Sequence, residues 1–255
     1  MQENIEYFTG ECRMDLKNVD LTSFRKGLSD LNLTLTIEQE KQFLLYYEMM
    51  IEKNKVMNLT AITEFEDVIE KHFLDSLSLA SFVNLDHQSV IDIGTGAGFP
   101  GIPLKIAFPD LHITLMDSLN KRILFLQDVI EALHLEGISA VHARAEDLGH
   151  KAEYREQFDL CVSRAVANLS TLCEYSLPFV KVGGMFVSYK SGEIEAEAKE
   201  AEKAIKLLGG ERKETIHFQL NHTEIARSFV LVEKKKQTPK TYPRKAGTPS
   251  KSPLA

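Results

Sequence analysis

The chain has 255 residues, 44% of them hydrophobic, with 8 prolines and a formal charge of −7. That length holds a sizeable core, as one domain with an appendage or as two small domains. No apolar run reaches the roughly 18 residues of a membrane span, and the 3 cysteines (Cys12, Cys161, Cys173) lack paired metal-ligand spacing, which points to a reduced, cytoplasmic setting and no metal.

The first twenty residues carry Glu3, Glu6, Glu11, Asp15 and Asp20 without an apolar stretch, so no signal peptide is expected, and Met14 is an alternative start. Residues 20 to about 86 read as helical. Thr36-x-x-Gln39 has the form of a capping box opening a helix through Glu52, with Phe43, Leu44, Tyr47, Met50 and Ile51 as its core face. Asn58-Leu59-Thr60 is a polar turn, and Thr63-x-x-Glu66 reads as a second capping box. The segment behind it carries His72, Asp75 and Ser76; a lone histidine is more often structural than a ligand contact, and both roles stay open for His72.

The organising stretch is 89–103, S-V-I-D-I-G-T-G-A-G-F-P-G-I-P. A short apolar run holding Asp92 enters a turn with Gly94, Gly96, Gly98 and Gly101, and apolar residues resume in a short helix ending before Pro109. Strand, glycine turn and helix let backbone approach a nucleotide-like ligand closely. A second buried strand, 111–116, ends in Asp117, an acid placed about 20 residues on to accept from ribose hydroxyls. NAD-binding domains and S-adenosylmethionine-dependent methyltransferases share that combination. Asp92 favours the second, because D-x-G-x-G-x-G resembles the first motif of the methyltransferases, whose acid lies near the methionine end of the ligand.

Next come Ser118-Leu119-Asn120-Lys121-Arg122 and a helix with Ile123, Leu126, Val129, Ile130 and Leu133 on one side. A third strand is predicted at 139–142, before Ala143-Arg144-Ala145-Glu146-Asp147, and a fourth at 158–163, before Arg164. Gly183-Gly184 leads into a fifth, 185–189, then Lys190; a single helix over 193–208 and closing strands at 216–220 and 228–232 complete the pattern. Alternation of this kind builds a mostly parallel sheet with helices on both faces and a ligand crevice beyond the carboxyl ends of the strands. Those ends carry Gly94, Asp117, Ala145, Glu146 and Arg164. The boundaries expected are a helical extension over 1–86, a ligand-binding domain over 87–237 and a tail over 238–255.

Residues 233–255 set seven cations (Lys234, Lys235, Lys236, Lys240, Arg244, Lys245, Lys251) against Glu233, a net +6 that leaves −13 on the remainder. Four of the chain's prolines fall here, which excludes a regular helix or a central strand. An acidic body with a basic, extended tail points to a polyanionic partner held by the tail; a merely solvated tail is the other reading.

The segments I-D-I-G-T-G-A-G-F-P-G-I-P, D-S-L-N-K-R, R-A-E-D, S-R-A-V-A, N-L-T-A-I and Y-P-R-K-A-G-T-P-S-K-S-P resemble the bacterial RsmG (GidB) family over Leu33 to the C-terminus. That family contains the guanine-N7 methyltransferases of 16S ribosomal RNA. The resemblance implies an α/β, Rossmann-like class I methyltransferase fold with a mostly parallel seven-stranded sheet and an N-terminal helical extension. It implies S-adenosylmethionine as cofactor, and Gly94, Gly96, Gly98 and Phe99 lining its site with Asp92. Asp117 would hold the ribose, Ala145 and Glu146 flank the adenine, and Arg164 complete the pocket between cofactor and base. Lys121, Arg122, Arg144, Lys190, Arg244 and Lys245 are the candidates for RNA capture, and a monomer acting on the small ribosomal subunit is the default expectation. The chemistry agrees: guanine N7 has a lone pair and no proton to lose, so no strong general base is needed. The N/D-P-P-aromatic motif of exocyclic-amine enzymes is absent after the fourth strand, where S-R-A-V stands. Cys161 and Cys173 read as buried structural thiols. A methyltransferase for another substrate and a non-catalytic ribosome-assembly factor are the competing readings.

Overall fold

The computed structural model describes residues 19–164, 167–220 and 223–254; Cys12 and Met14 lie outside them. Helix α1 (Thr22–Asp30) and the long α2 (Ile37–Met57) open the chain. The Thr36 capping box forms as expected, Thr36 Oγ1 accepting from Gln39 N–H and Gln39 Oε1 from Thr36 N–H. The helix runs past Glu52 because Asn58 closes it in a left-handed conformation. The second capping box does not form. Helix α3 (Phe65–Val68) starts from Glu64 with no side-chain cap, while the Thr63 carbonyl accepts from Tyr47 Oη and Glu66 from Ser23 Oγ.

From α3 the chain passes through a π-helical turn, Ile69–Leu74, into the short α4 (Asp75–Leu77). A turn of this kind rotates the residues after it relative to a regular helix and is frequent at functional sites. Phe73 faces Phe24, Phe43, Tyr46 and Phe99 at ring-centroid separations of 4.9 to 6.2 Å.

Strands β1 (Ser89–Ile93), β2 (His112–Asp117), β3 (Ile138–His142), β4 (Phe158–Arg164), β5 (Val180–Ser191), β6 (Gly210–Gln219) and β7 (Ala226–Lys234) form, among the described residues, one seven-stranded sheet. Its order is β3-β2-β1-β4-β5-β7-β6. The first five strands pair in parallel, and β7 is antiparallel to both β5 and β6. Between them run α5 (Gly101–Ala107), α6 (Asn120–Ala132), α7 (Ala145–Leu148) and α8 (Leu169–Ser176). The helix expected over 193–208 is interrupted at Ala201, giving α9 (Glu195–Glu200) and α10 (Glu202–Leu207). Strands β5 and β6 begin well before the apolar runs that announced them; β5 starts at Val180 and carries Gly183-Gly184 inside it.

Two hydrophobic clusters cover the two faces of the sheet. One unites the N-terminal helices with α5, α6, Leu115, Val162, Tyr189 and Phe229. The other packs Ile91, Ile93, Cys161 and Phe186 against α8 and α10.

The basic C-terminal segment is not an extended, solvated tail. It lies against the sheet domain as a strap containing one helical turn, α11 (Thr248–Lys251). The Arg155 guanidinium donates to the Thr238, Pro239 and Tyr242 carbonyls, and Thr238 N–H to Glu156. Lys234 is wholly buried, its Nζ bonded to the Leu177 carbonyl and Thr238 Oγ1 and 3.2 Å from Glu156. Two of the seven cations, Lys234 and Arg244, have ion-pair partners in the body of the protein.

Candidate active site

Asp92 sits in the middle of the sheet, paired to Leu115 of β2 and Val162 of β4, and is fully buried. Its Oδ2 accepts from Thr95 Oγ1 (2.7 Å) and Gly101 N–H (2.9 Å), while Oδ1 has no partner among the described residues. Burial pushes its carboxyl up to about 6, against the two hydrogen bonds that favour the charged form.

The glycines of the turn serve different ends. A Cβ on Gly101 would stand 2.9 Å from Asp92 Oδ2, and one on Gly98 2.6 Å from Ile102 Cγ1 and 2.8 Å from Tyr46 Oη. These two make room for protein. Gly96, at φ +64°, has nothing nearer than a backbone oxygen at 4.0 Å, so its bare Cα borders open space.

Asp117 ends β2 and is 2% exposed. Its Oδ2 accepts from Gly96 N–H (3.0 Å) and Arg122 Nη1 (3.1 Å), and its Oδ1 from Leu119 N–H (2.9 Å). Ala145 and Glu146 open α7 at the end of β3, both buried, and Glu146 Oε1 accepts from Gly247 N–H of the strap at 2.9 Å.

Arg164 ends β4 and lies over the Phe99 ring, 4.9 Å from its centroid. Arg164 makes no salt bridge to Asp92 or Glu146. Its Nη1 donates instead to Asp75 Oδ2 (2.8 Å) and the Lys71 carbonyl (3.2 Å), and its Nη2 lies 3.2 Å from His72 Nδ1. Asp75 Oδ1 takes a second guanidinium, Arg227 Nε, at 2.7 Å. His72 stacks on Phe99 (4.5 Å, 24°) and bonds Thr60 Oγ1 through Nε2 at 2.8 Å. Burial and the neighbouring Arg164 hold its imidazole down to about 3, so it is neutral. Cys161 and Cys173 are buried and burial pushes both thiols up, which removes them as nucleophiles. Among the described residues no group of three or more His, Cys, Asp or Glu is placed to hold a metal.

The β3-β2-β1-β4-β5-β7-β6 sheet thus carries Gly94, Asp117 and Arg164 at the carboxyl ends of the neighbouring strands β1, β2 and β4. The model of the family described as rRNA small subunit methyltransferase G (GidB) matches residues 39–226. The chain belongs to that family. The ribosomal RNA small subunit methyltransferase G of Lachnoclostridium phytofermentans is 53% identical over 236 residues, 92% of this chain and 98% of the relative. That of Brevibacillus brevis is 52% identical over 232 residues, 91% and 98% of the two chains. Among solved structures, M. jannaschii TYW2 in complex with AdoMet aligns at TM-score 0.51 over 68% of this chain and 77% of that one, at 15% identity. Bacillus subtilis YcgJ protein aligns at TM-score 0.51 over 65% and 100%, at 11% identity. At such identities the likeness is one of fold, the class I S-adenosylmethionine-dependent methyltransferase fold.

In this member of the GidB family, Gly96 N–H donates to Asp117, Arg164 lies over Phe99 and Asp92 accepts from Gly101 N–H, with Ala145 and Glu146 at the end of the neighbouring strand. Of the candidate RNA contacts, three are engaged within the protein. Arg122 pairs with Asp117, Lys190 Nζ bonds Glu197 and the Ala167 carbonyl, and Arg244 clasps the buried Glu174. Lys121, Arg144 and Lys245 have no ion pair among the described residues, and all three are exposed. Sequence reasoning missed Arg227 and the function of Asp75 and Tyr46. Tyr46 Oη donates to the Ala97 carbonyl inside the glycine turn at 2.6 Å. No local signal marks Arg227, which meets Asp75 across 152 residues of chain.

Proposed function

We propose that this chain transfers the methyl group of S-adenosylmethionine to N7 of a specific guanine in 16S ribosomal RNA. The observation that carries the reading is Arg164: a half-enclosed guanidinium fixed over the ring of the glycine turn, with no competent base or nucleophile beside it. Family membership supports the substrate class, since the relatives are named for methylation of small-subunit ribosomal RNA.

The chain's donors and acceptors fit the cofactor. Asp92 Oδ1, a buried acceptor without a partner, suits the methionine ammonium end. Gly94, Gly96, Gly98 and Phe99 line the approach, Asp117 at the end of β2 faces the ribose, and Ala145 and Glu146 flank the adenine. The cofactor, when bound, supplies an already activated methyl on a sulfonium. The protein's remaining tasks are orientation and exclusion of water, which together account for several kcal/mol of a displacement barrier. Guanine presents N7 and O6 side by side as acceptors. An Arg164 N–H given to O6 would align the base and leave the N7 lone pair for attack. His72 cannot serve as a base, because its Nδ1 faces a guanidinium.

Lys121, Arg144 and Lys245 are offered for phosphate contacts, which add salt-sensitive affinity while bases splayed from an RNA loop set specificity. A monomer is the working unit of this reading, and a ribosomal RNA substrate accords with work in the cytoplasm. The test is labelled S-adenosylmethionine with small-subunit RNA from cells lacking the gene, followed by nucleoside analysis. N7-methylguanosine is expected, and Arg164→Ala should abolish at least 90% of it without loss of fold. Label in another nucleoside overturns the N7 assignment. No label from naked RNA or subunits favours a binding factor.

A further inference from the structure

We propose that His72 is a positioning residue for methyl transfer, aiming the Arg164 guanidinium through an acceptor at Nδ1. The proposal rests on Arg164 acting on the substrate base. A guanidinium donates at every nitrogen and accepts at none. Arg164 Nη2, 3.2 Å from His72 Nδ1, therefore requires the lone pair there, which assigns the ring proton to Nε2. Nε2–H then donates to Thr60 Oγ1 at 2.8 Å. The Lys71 carbonyl, 3.1 Å from Nδ1, takes an N–H of Arg164 Nη1.

A donor census shows what the arrangement achieves. Arginine has five N–H groups. Nη1 spends its two on Asp75 and the Lys71 carbonyl, and Nη2 spends one on His72. The other Nη2–H and Nε–H have no partner among the described residues. These two share one edge of the planar fork, so they meet the substrate together. Asp75 and the Lys71 carbonyl hold the Nη1 corner of the fork, and His72 adds a third contact, the one at Nη2.

The imidazole is itself immobilised on two sides, by the Phe99 ring face and by Thr60. It stands on the π-helical turn of the N-terminal helices, whereas Arg164 ends β4 and Phe99 lies in the glycine turn. Three separate chain segments thus agree on one guanidinium orientation. A histidine that served only as core filler would need the stack but not the acceptor.

That difference gives the experiment. Asn places an acceptor where Nδ1 was; Gln places its amide where Nε2 was; Phe keeps the ring and the stack but has no acceptor. His72→Phe and His72→Gln should lower kcat at least tenfold, with cofactor Kd and RNA KM within threefold of wild type. His72→Asn should keep at least a third of kcat. Thr60→Val, which leaves the ring and removes its anchor, should lower kcat in the same way. Melting temperatures are recorded for all four. Full turnover by His72→Phe, or equal losses in the Asn and Phe variants, would overturn the assignment, as would unchanged kcat in Thr60→Val. Arg164→Ala is run beside them. If it turns over normally, the proposed role of Arg164 fails; if it is dead while His72→Phe is normal, only the positioning role of His72 fails.

Discussion

Arg244→Ala separates a structural cation from an RNA-binding one. Arg244 gives Nε and Nη2 to the Glu174 carboxylate at 2.6 to 3.1 Å, its own backbone N–H to Glu174 Oε1 at 2.7 Å, and Nη2 also to the Ser252 carbonyl. Glu174 is 0% exposed on α8. Removing one partner of a buried pair costs about 3–5 kcal/mol, because the other charge stays buried without compensation. The backbone N–H survives the substitution, so we take the lower end, about 3 kcal/mol. For a chain of this size that is a fall in Tm of roughly 6–12 °C. Glu174→Gln removes the stranded charge, so the double variant should melt above the Arg244→Ala protein. RNA binding over a salt series supplies the second readout. A lost phosphate contact flattens the slope by about 0.7–0.9, and none is expected here. A Tm within 2 °C of wild type, together with a slope reduced by that amount, would refute the reasoning and return Arg244 to the RNA surface.

Lys121→Ala, Arg144→Ala and Lys245→Ala should show the converse: Tm within about 2 °C of wild type and a salt slope smaller by roughly 0.7–0.9 each; an unchanged slope in all three would remove them from the RNA surface. Gly98→Ala should destabilise by about 3 kcal/mol, since a methyl there meets Ile102 and Tyr46 at φ +110°. Gly96→Ala should cost only about 1–2 kcal/mol of stability yet weaken cofactor binding at least tenfold by calorimetry; wild-type affinity would show that the open space at Gly96 is not the cofactor's. Asp92 titrates near 6 when buried, above its ordinary 3.8, so its contribution is most favourable below pH 4 and is lost as pH rises through 6. The stability of cofactor-free wild type relative to Asp92→Asn should therefore fall by about 2–3 kcal/mol between pH 4 and 7, measured by urea unfolding; a flat difference would contradict the burial.

What could be read in the sequence was local. Asp92, the glycines and Asp117 stand within two adjoining strand-turn units, and parallel pairing of β1 with β2 brings them together with no further information. Arg164 was legible because β4 pairs with β1 and delivers its last residue to the same edge. Its partners were not, since the Asp75 carboxylate reaches it from a helical segment 89 residues earlier. The C-terminal segment was misjudged for a related reason. Composition counts charges without their partners, and Glu146, Glu156 and Glu174 lie far upstream on the domain that the strap covers. Thr63-x-x-Glu66 had the residues of a capping box, but tertiary contacts with Tyr47 and Ser23 claimed both ends of it. Strand β5 outran its apolar core because Val180 pairs with Phe158 ahead of a register shift that takes up Gly183-Gly184, and β6 because its pairing with β7 runs on through charged, half-exposed positions.

The shared core of the N-terminal helices and the sheet sets an order of events during synthesis. Phe24, Phe43, Tyr46 and Phe73 emerge from the ribosome first, yet the surface they cover includes Ile102, Leu126, Tyr189 and Phe229. Asp75 waits for Arg227, which follows it by 152 residues. At about 5–20 residues per second that is an interval of roughly 8–30 s. Until β1, β2 and β4 follow, an aromatic helical segment has no sheet to rest on. The nascent chain is then most exposed to aggregation and to chaperone capture, and slowing elongation downstream of α2 lengthens that exposure instead of assisting the fold.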